Sequence, residues 1–261
     1  MEMILRDWID ITKLNWKYLS SNPNALFLLK SNPNKINWKY LSMNPNAIDL
    51  LKENQDKINW KYLSTNPNAI DLLKENQDKI DWIYLSSNSN AISILEANLD
   101  KIVWSYLSMN PNAIDLLKKN LDKVNWITIS SNTSAIDIIQ NNLDRIDWYC
   151  LTNNSNAIKI IENNIDKIPV NNYLSRNPNA KEIIKNYPNK IDFTYLAENF
   201  HINELIKLYP NKINWDLLSI NKNAIELLKN NQDKINWEYL SYNPNAINLL
   251  KENNAWVEKS K

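Results

Sequence analysis

The side chains that carry most enzyme and metal chemistry are scarce in this chain. Its 261 residues include one cysteine, Cys150, and one histidine, His201. That count excludes an intrachain disulfide and a Cys/His zinc site of the usual spacing. A nucleophilic cysteine needs an activating neighbour. Cys150 instead fills a position held elsewhere by Tyr40 and Tyr84, which predicts a packed small side chain. His201 fills a position held elsewhere by asparagine, or once by Ser134, and reads as a cap substitute. Aspartates equivalent to Asp56 recur singly, whereas calcium needs six to eight clustered oxygens, so turn chemistry is the better account. Glycine is absent, and with it the Walker and dinucleotide phosphate loops. Asn132-Thr133-Ser134 and Asn153-Asn154-Ser155 match the glycosylation sequon, which has meaning only in a secreted chain. No catalytic residue, metal ligand, cofactor or small-molecule substrate is expected, and the chain reads as non-enzymatic.

Two series of side chains have a spacing that matters. Trp16, Trp38, Trp60, Trp82, Trp104, Trp126 and Trp148 stand 22 residues apart. Val170 takes the next place, one extra residue near it moves the following place to Phe193, and Trp215 and Trp237 restore the period. Lysine or arginine recurs at the Lys57 place in ten repeats, from Lys35 to Lys234. Aromatic rings with a basic track suggest a base-stacking platform or a one-base-per-repeat RNA reader. Against that, the place of Asp56, beside the basic one, is acidic in seven of those ten repeats. Trp38 and Leu41, three apart, share one helical face, which predicts a tryptophan ladder packed in the core.

The element behind both series is a tandem repeat. Eleven repeats of 22 residues begin at Leu14, Ile36, Ile58, Ile80, Ile102, Val124, Ile146, Ile168, Ile191, Ile213 and Ile235. They fill 14–256, after a capping segment at 1–13 (Trp8, Ile9, Ile11, with Phe27 packing on it) and before a tail at 257–261. Trp256 replaces the usual closing lysine. In the second repeat Asn37 caps a short helix over Trp38–Met43, partly 3₁₀ at that length. Asn44, with Pro45 at the first helical position, or Asn46 one turn later, caps a second helix with Ala47, Ile48, Leu50 and Leu51 on its apolar face. Asn54 ends it in the left-handed conformation that glycine usually supplies. A repeat this short cannot bury its apolar face alone. The expected fold is an all-α solenoid, a superhelical rod in which each repeat pairs a short α/3₁₀ helix with an α-helix.

Composition adds the setting. Thirty basic residues oppose 29 acidic ones, so no net field draws nucleic acid or lipid. Met1 to Asp10 lacks a secretory pattern, and no apolar stretch reaches membrane-spanning length. A soluble, intracellular protein is expected. There are 48 asparagines, and lysine outnumbers arginine 27 to 3, a bias that fits AT-rich coding.

The string carried by Leu41, Ser42, Asn44 to Ile48, Leu50, Leu51, Asn54, Lys57, Ile58 and Trp60 resembles Asn-rich helical repeats in proteins of mimivirus-like large DNA viruses, over nearly the whole chain. A weaker similarity, in the leucine-to-Asn-Pro segment, is to the leucine-rich repeat variant. The first resemblance implies a viral protein in host cytoplasm or virion. Neither implies an assigned activity, and no functional residue carries over.

Function must then lie in what fails to repeat. The places of Lys39 and Met43 vary freely and share a face away from Trp38 and Leu41. They read basic at Lys17, Lys39 and Lys61, apolar at Ile83, Ile127 and Tyr149, and acidic at Asp216 and Glu238. The residues expected to bind a partner are Met43, Ile83, Met109, Ile127, Tyr149, Ile220 and Tyr242, centred on Ile83, Ile127 and Tyr149. The partner is expected to be another protein, a host protein if the array is viral. A structural or assembly component of a virion is the alternative, and single-stranded RNA binding carries low weight. A second irregular stretch, 168–212, holds Pro169, Val170, Lys181, Phe193, Phe200, His201, Ile202 and Asn203, and predicts a kink or a dedicated site.

Overall fold

A computed structural model describes residues 10–251. Among them every regular element is a helix, and one isolated parallel bridge joins Asn171 and Ile191. The chain divides into two compact units, Met1–Thr128 and Ile129–Lys261. Each unit is an α-solenoid stack of the same repeat. In the repeat from Ile36 the elements are an α-helix at Trp38–Leu41, a second at Ile48–Lys52 and a 3₁₀ turn at Gln55–Lys57. Trp8, Ile9 and Trp256 lie outside the described residues. Ile11 and Phe27, expected to pack in the N-terminal cap, are both exposed.

Asn37 opens the first helix as expected. Its backbone is extended (φ −90°, ψ 97°), and its Oδ1 accepts from the Tyr40 N–H at 3.3 Å. The second helix starts later than expected. It begins at Ile48, behind Ala47 at φ −95°, ψ 10°, with no side-chain cap. Asn44 caps only the turn between the helices, accepting from the Asn46 N–H at 3.0 Å. Proline drives the residue before it into extended backbone. Asn22, before Pro23, sits at φ −79°, ψ 117°, but Asn88 before Ser89 and Asn221 before Lys222 are extended in the same way and also close their helices, so proline fits this helix end without causing it.

Asn54 is also a correction. It lies at φ −134°, ψ 51°, and no described residue has positive φ. Its amide matters instead: Nδ2 donates to the Leu50 carbonyl at 3.0 Å, satisfying one of the acceptors a helix end leaves open.

Leu41, Ala47 and Leu51 are fully buried, as their spacing predicts. The tryptophans are not. Trp38 and its described equivalents are all half-buried, and most carry a lysine over the ring. In the first unit Lys57, Lys79, Lys101 and Lys123 place Nζ 4.7, 4.8, 4.9 and 5.3 Å from the centroids of Trp38, Trp60, Trp82 and Trp104. In the second, Lys167, Lys212 and Lys234 cover Trp148, Phe193 and Trp215. Each contact contributes about 0.5–1 kcal/mol at an exposed site. The basic track is thus a covering over the aromatic ladder.

A one-turn helix is not stable alone, and a buried polar seam holds these in place. Asn66 Nδ2 donates to the Ser42 and Asn44 carbonyls of the preceding repeat at 3.1 and 3.0 Å. Asn44, Asn88 and Asn110 repeat this in the first unit. Asn154, Asn177, Asn199, Asn221 and Asn243 repeat it in the second. Beside it, Ser42 Oγ donates to the Trp38 carbonyl at 2.8 Å and accepts from the Asn59 N–H of the next repeat at 3.0 Å.

The stretch 168–212 preserves this seam. The extra residue is absorbed around Pro169 and Val170, and Val170 is exposed rather than standing in for a tryptophan. Asn171 takes over the cap, accepting from the Leu174 N–H at 2.8 Å and from Thr152 Oγ1 at 3.0 Å. Lys181 and Asn203 replace an isoleucine that is half-buried at Ile48 and most of its equivalents and exposed at Ile247, not core. Lys181 pairs with Glu204, and Asn203 Nδ2 donates to the Asn223 carbonyl at 2.8 Å.

Candidate binding surface

With the leucine inward and the tryptophan at the rim, a first helix leaves two other places facing solvent. All seven side chains singled out there are exposed, from 38% for Met43 and Ile220 to 71% for Tyr242. Isolated exposed apolar residues are ordinary on any surface. These recur at one place of the short first helix and one just past its end, beside a leucine and an asparagine place that hardly vary.

In the first unit the Lys39 place reads Lys17, Lys39, Lys61, Ile83, Ser105 and Ile127, with Met43 and Met109 beside it. A tyrosine column runs next to it. Lys17 Nζ lies 4.9 Å from the Tyr40 centroid, Lys39 5.2 Å from Tyr62 and Lys61 4.9 Å from Tyr84. The Tyr40 and Tyr62 rings stack at 6.1 Å. Sequence reasoning missed this column. Its signal was the tyrosine that recurs one residue after each lysine.

In the second unit Tyr149 is partly committed. Its hydroxyl donates to Asn172 Oδ1 at 3.0 Å, and its ring meets the edge of Tyr173 at 5.1 Å. Ile220 lines an open groove of about 380 Å³ with Glu198, Leu217, Lys222 and Asn223. Ile83 and Ile127 thus belong to one unit and Tyr149 to the other.

The residues considered for catalysis are placed as scaffold. Cys150 is half-buried, and its N–H donates to Asp147 Oδ1 at 2.7 Å. Burial first, then the hydrogen bond and charge of Asp147, pushes its thiol up to about 11, the reverse of nucleophile activation. His201 donates its backbone N–H to Asn199 Oδ1 at 2.9 Å, as Asn46 does to Asn44. Its Nδ1 lies 3.8 Å from Glu204 Oε1. Among the described residues no helix is long and apolar enough to cross a membrane. Comparison with family models, with characterised proteins and with solved structures finds no match for this chain.

Proposed function

We propose that this chain is a non-enzymatic repeat scaffold that binds another protein through its first-helix face. One observation carries the reading: most side chains at these two variable places are exposed and several are apolar, while the invariant places are spent on core, caps and the polar seam. Met43, Ile83, Met109 and Ile127 form the apolar part of that face in the first unit. Burying one such side chain contributes about 1.5–3 kcal/mol, so two or three of them suffice as anchors at the centre of an interface. On the resemblance to repeats of large DNA viruses, the partner is a host protein.

The test is quantitative affinity capture from infected-cell extract, with the wild-type chain and an Ile83→Glu/Ile127→Glu variant. At least one protein retained by the wild type should be lost with the variant, while the far-UV circular dichroism of the two stays the same. An identical set of captured proteins would refute the assignment of this face.

A further inference from the structure

Resting on that reading, we propose that the first-helix face of the first three repeats takes an extended acidic peptide segment, one carboxylate on each of Lys17, Lys39 and Lys61. These lysines are exposed, and no ion pair is found for them among the described residues. Their helices, Trp16–Ser21, Trp38–Leu41 and Trp60–Leu63, contain no acidic residue. The carboxylates of these repeats, such as Asp49, Asp56 and Asp71, sit on the second helices and 3₁₀ turns. The basic stripe is therefore uncompensated locally, although the chain as a whole is nearly neutral.

The tyrosine column prepares these cations for binding. Each ammonium reaches forward over the ring of the next repeat. A long side chain already ordered loses less entropy when it pairs. Stacked helices advance by about 8–10 Å, and an extended polyproline-II segment rises about 3.1 Å per residue with three residues per turn, which puts every third side chain on one face. Every third residue of an extended segment therefore meets a lysine. Past Lys61 the same place becomes Ile83, where the segment meets its first apolar anchor.

Single-stranded nucleic acid fits this face less well. Bases need open aromatic faces on which to stack. Here Tyr40 and Tyr62 face each other and carry lysines, and Trp38 and Trp60 are covered as well.

The test is fluorescence anisotropy on the full chain. The probes are a labelled peptide with glutamate at every third position, its glutamine counterpart, a peptide with the same glutamates in one block, and oligouridylate. The spaced acidic peptide should bind best. A Lys17→Gln/Lys39→Gln/Lys61→Gln variant should weaken it roughly tenfold, and the corresponding arginine variant should retain it. Binding should fall as salt rises. No binding of the spaced peptide, equal binding of the glutamine or block peptide, or an inert glutamine variant would overturn the proposal. Tighter binding of oligouridylate through the same lysines would reassign the face to nucleic acid. Self-association abolished by the same variant would reassign it to a second copy of the chain. Capture through Ile83 and Ile127 is read separately, so its survival alongside failed peptide binding would sink this proposal alone.

Discussion

Replacing Asn66 by alanine cuts one rung of the seam. The side chain is fully buried and makes three hydrogen bonds. Two are donated to the Ser42 and Asn44 carbonyls, and one is accepted from the Asn68 N–H. Each bond contributes about 1 kcal/mol net, and each buried group left without a partner costs about 1–3 kcal/mol. With some water entering the vacated space, the loss comes to about 3–5 kcal/mol, a large share of a domain's total of about 5–15 kcal/mol. Asn68 is the control. It is exposed, and its Nδ2 donates to the Pro45 carbonyl at 2.9 Å, so Asn68→Ala should cost under about 1 kcal/mol. Asn66→Asp separates hydrogen-bond polarity from size. The new carboxylate would face two carbonyl oxygens, which disfavours its charged form and raises its folded pKa above the unfolded value near 3.9. The folded state then holds the proton longer. The penalty is largest at neutral pH and shrinks as pH falls through the folded pKa towards the unfolded one. Urea unfolding followed by circular dichroism at pH 7 and pH 4.5 measures all three variants. Equal losses for Asn66→Ala and Asn68→Ala, or an Asn66→Asp penalty that does not depend on pH, would refute the account.

Two further outcomes follow from burial. Cys150, with its thiol pushed up to about 11, should react with a disulfide reagent at pH 8 on the order of a hundredfold more slowly than free cysteine; a free-cysteine rate would show the thiol to be unburied. Ala91 is fully buried between packed helices, so Ala91→Leu should lower stability by about 1–3 kcal/mol, whereas the exposed Ala97 should accept leucine almost unchanged in thermal unfolding.

Much of this was legible in the sequence, for a physical reason. Period, core and first-helix caps depend on neighbours within one repeat. Asn37 finds its N–H partner three residues on, and Leu41, Ala47 and Leu51 follow helical spacing. The uses of asparagine were only half legible. The Oδ1 of Asn44 has a local partner, but its Nδ2 partners lie 22 and 24 residues earlier, and no reading of one repeat finds them. Asn54 was misread because its helix-end position suggests backbone conformation, whereas its side chain supplies the missing donor. The tryptophans were misplaced because indole size suggests burial. Leucine and alanine already fill the space between the helices, so the rings stay at the rim under lysines. The seven candidate residues were legible as exposed because they break the period. The tyrosine column was overlooked because it keeps it.

The seam also has a direction. Each asparagine reaches back to carbonyls earlier in the chain, in Asn88 as in Asn243. During synthesis the N-terminal part leaves the ribosome first. A newly emerged repeat therefore finds its seam acceptors already displayed on a finished neighbour, and in the seam the growing end presents carbonyls. Assembly can then proceed like a zipper closing behind the ribosome, one repeat at a time, with each repeat serving as the template for the next.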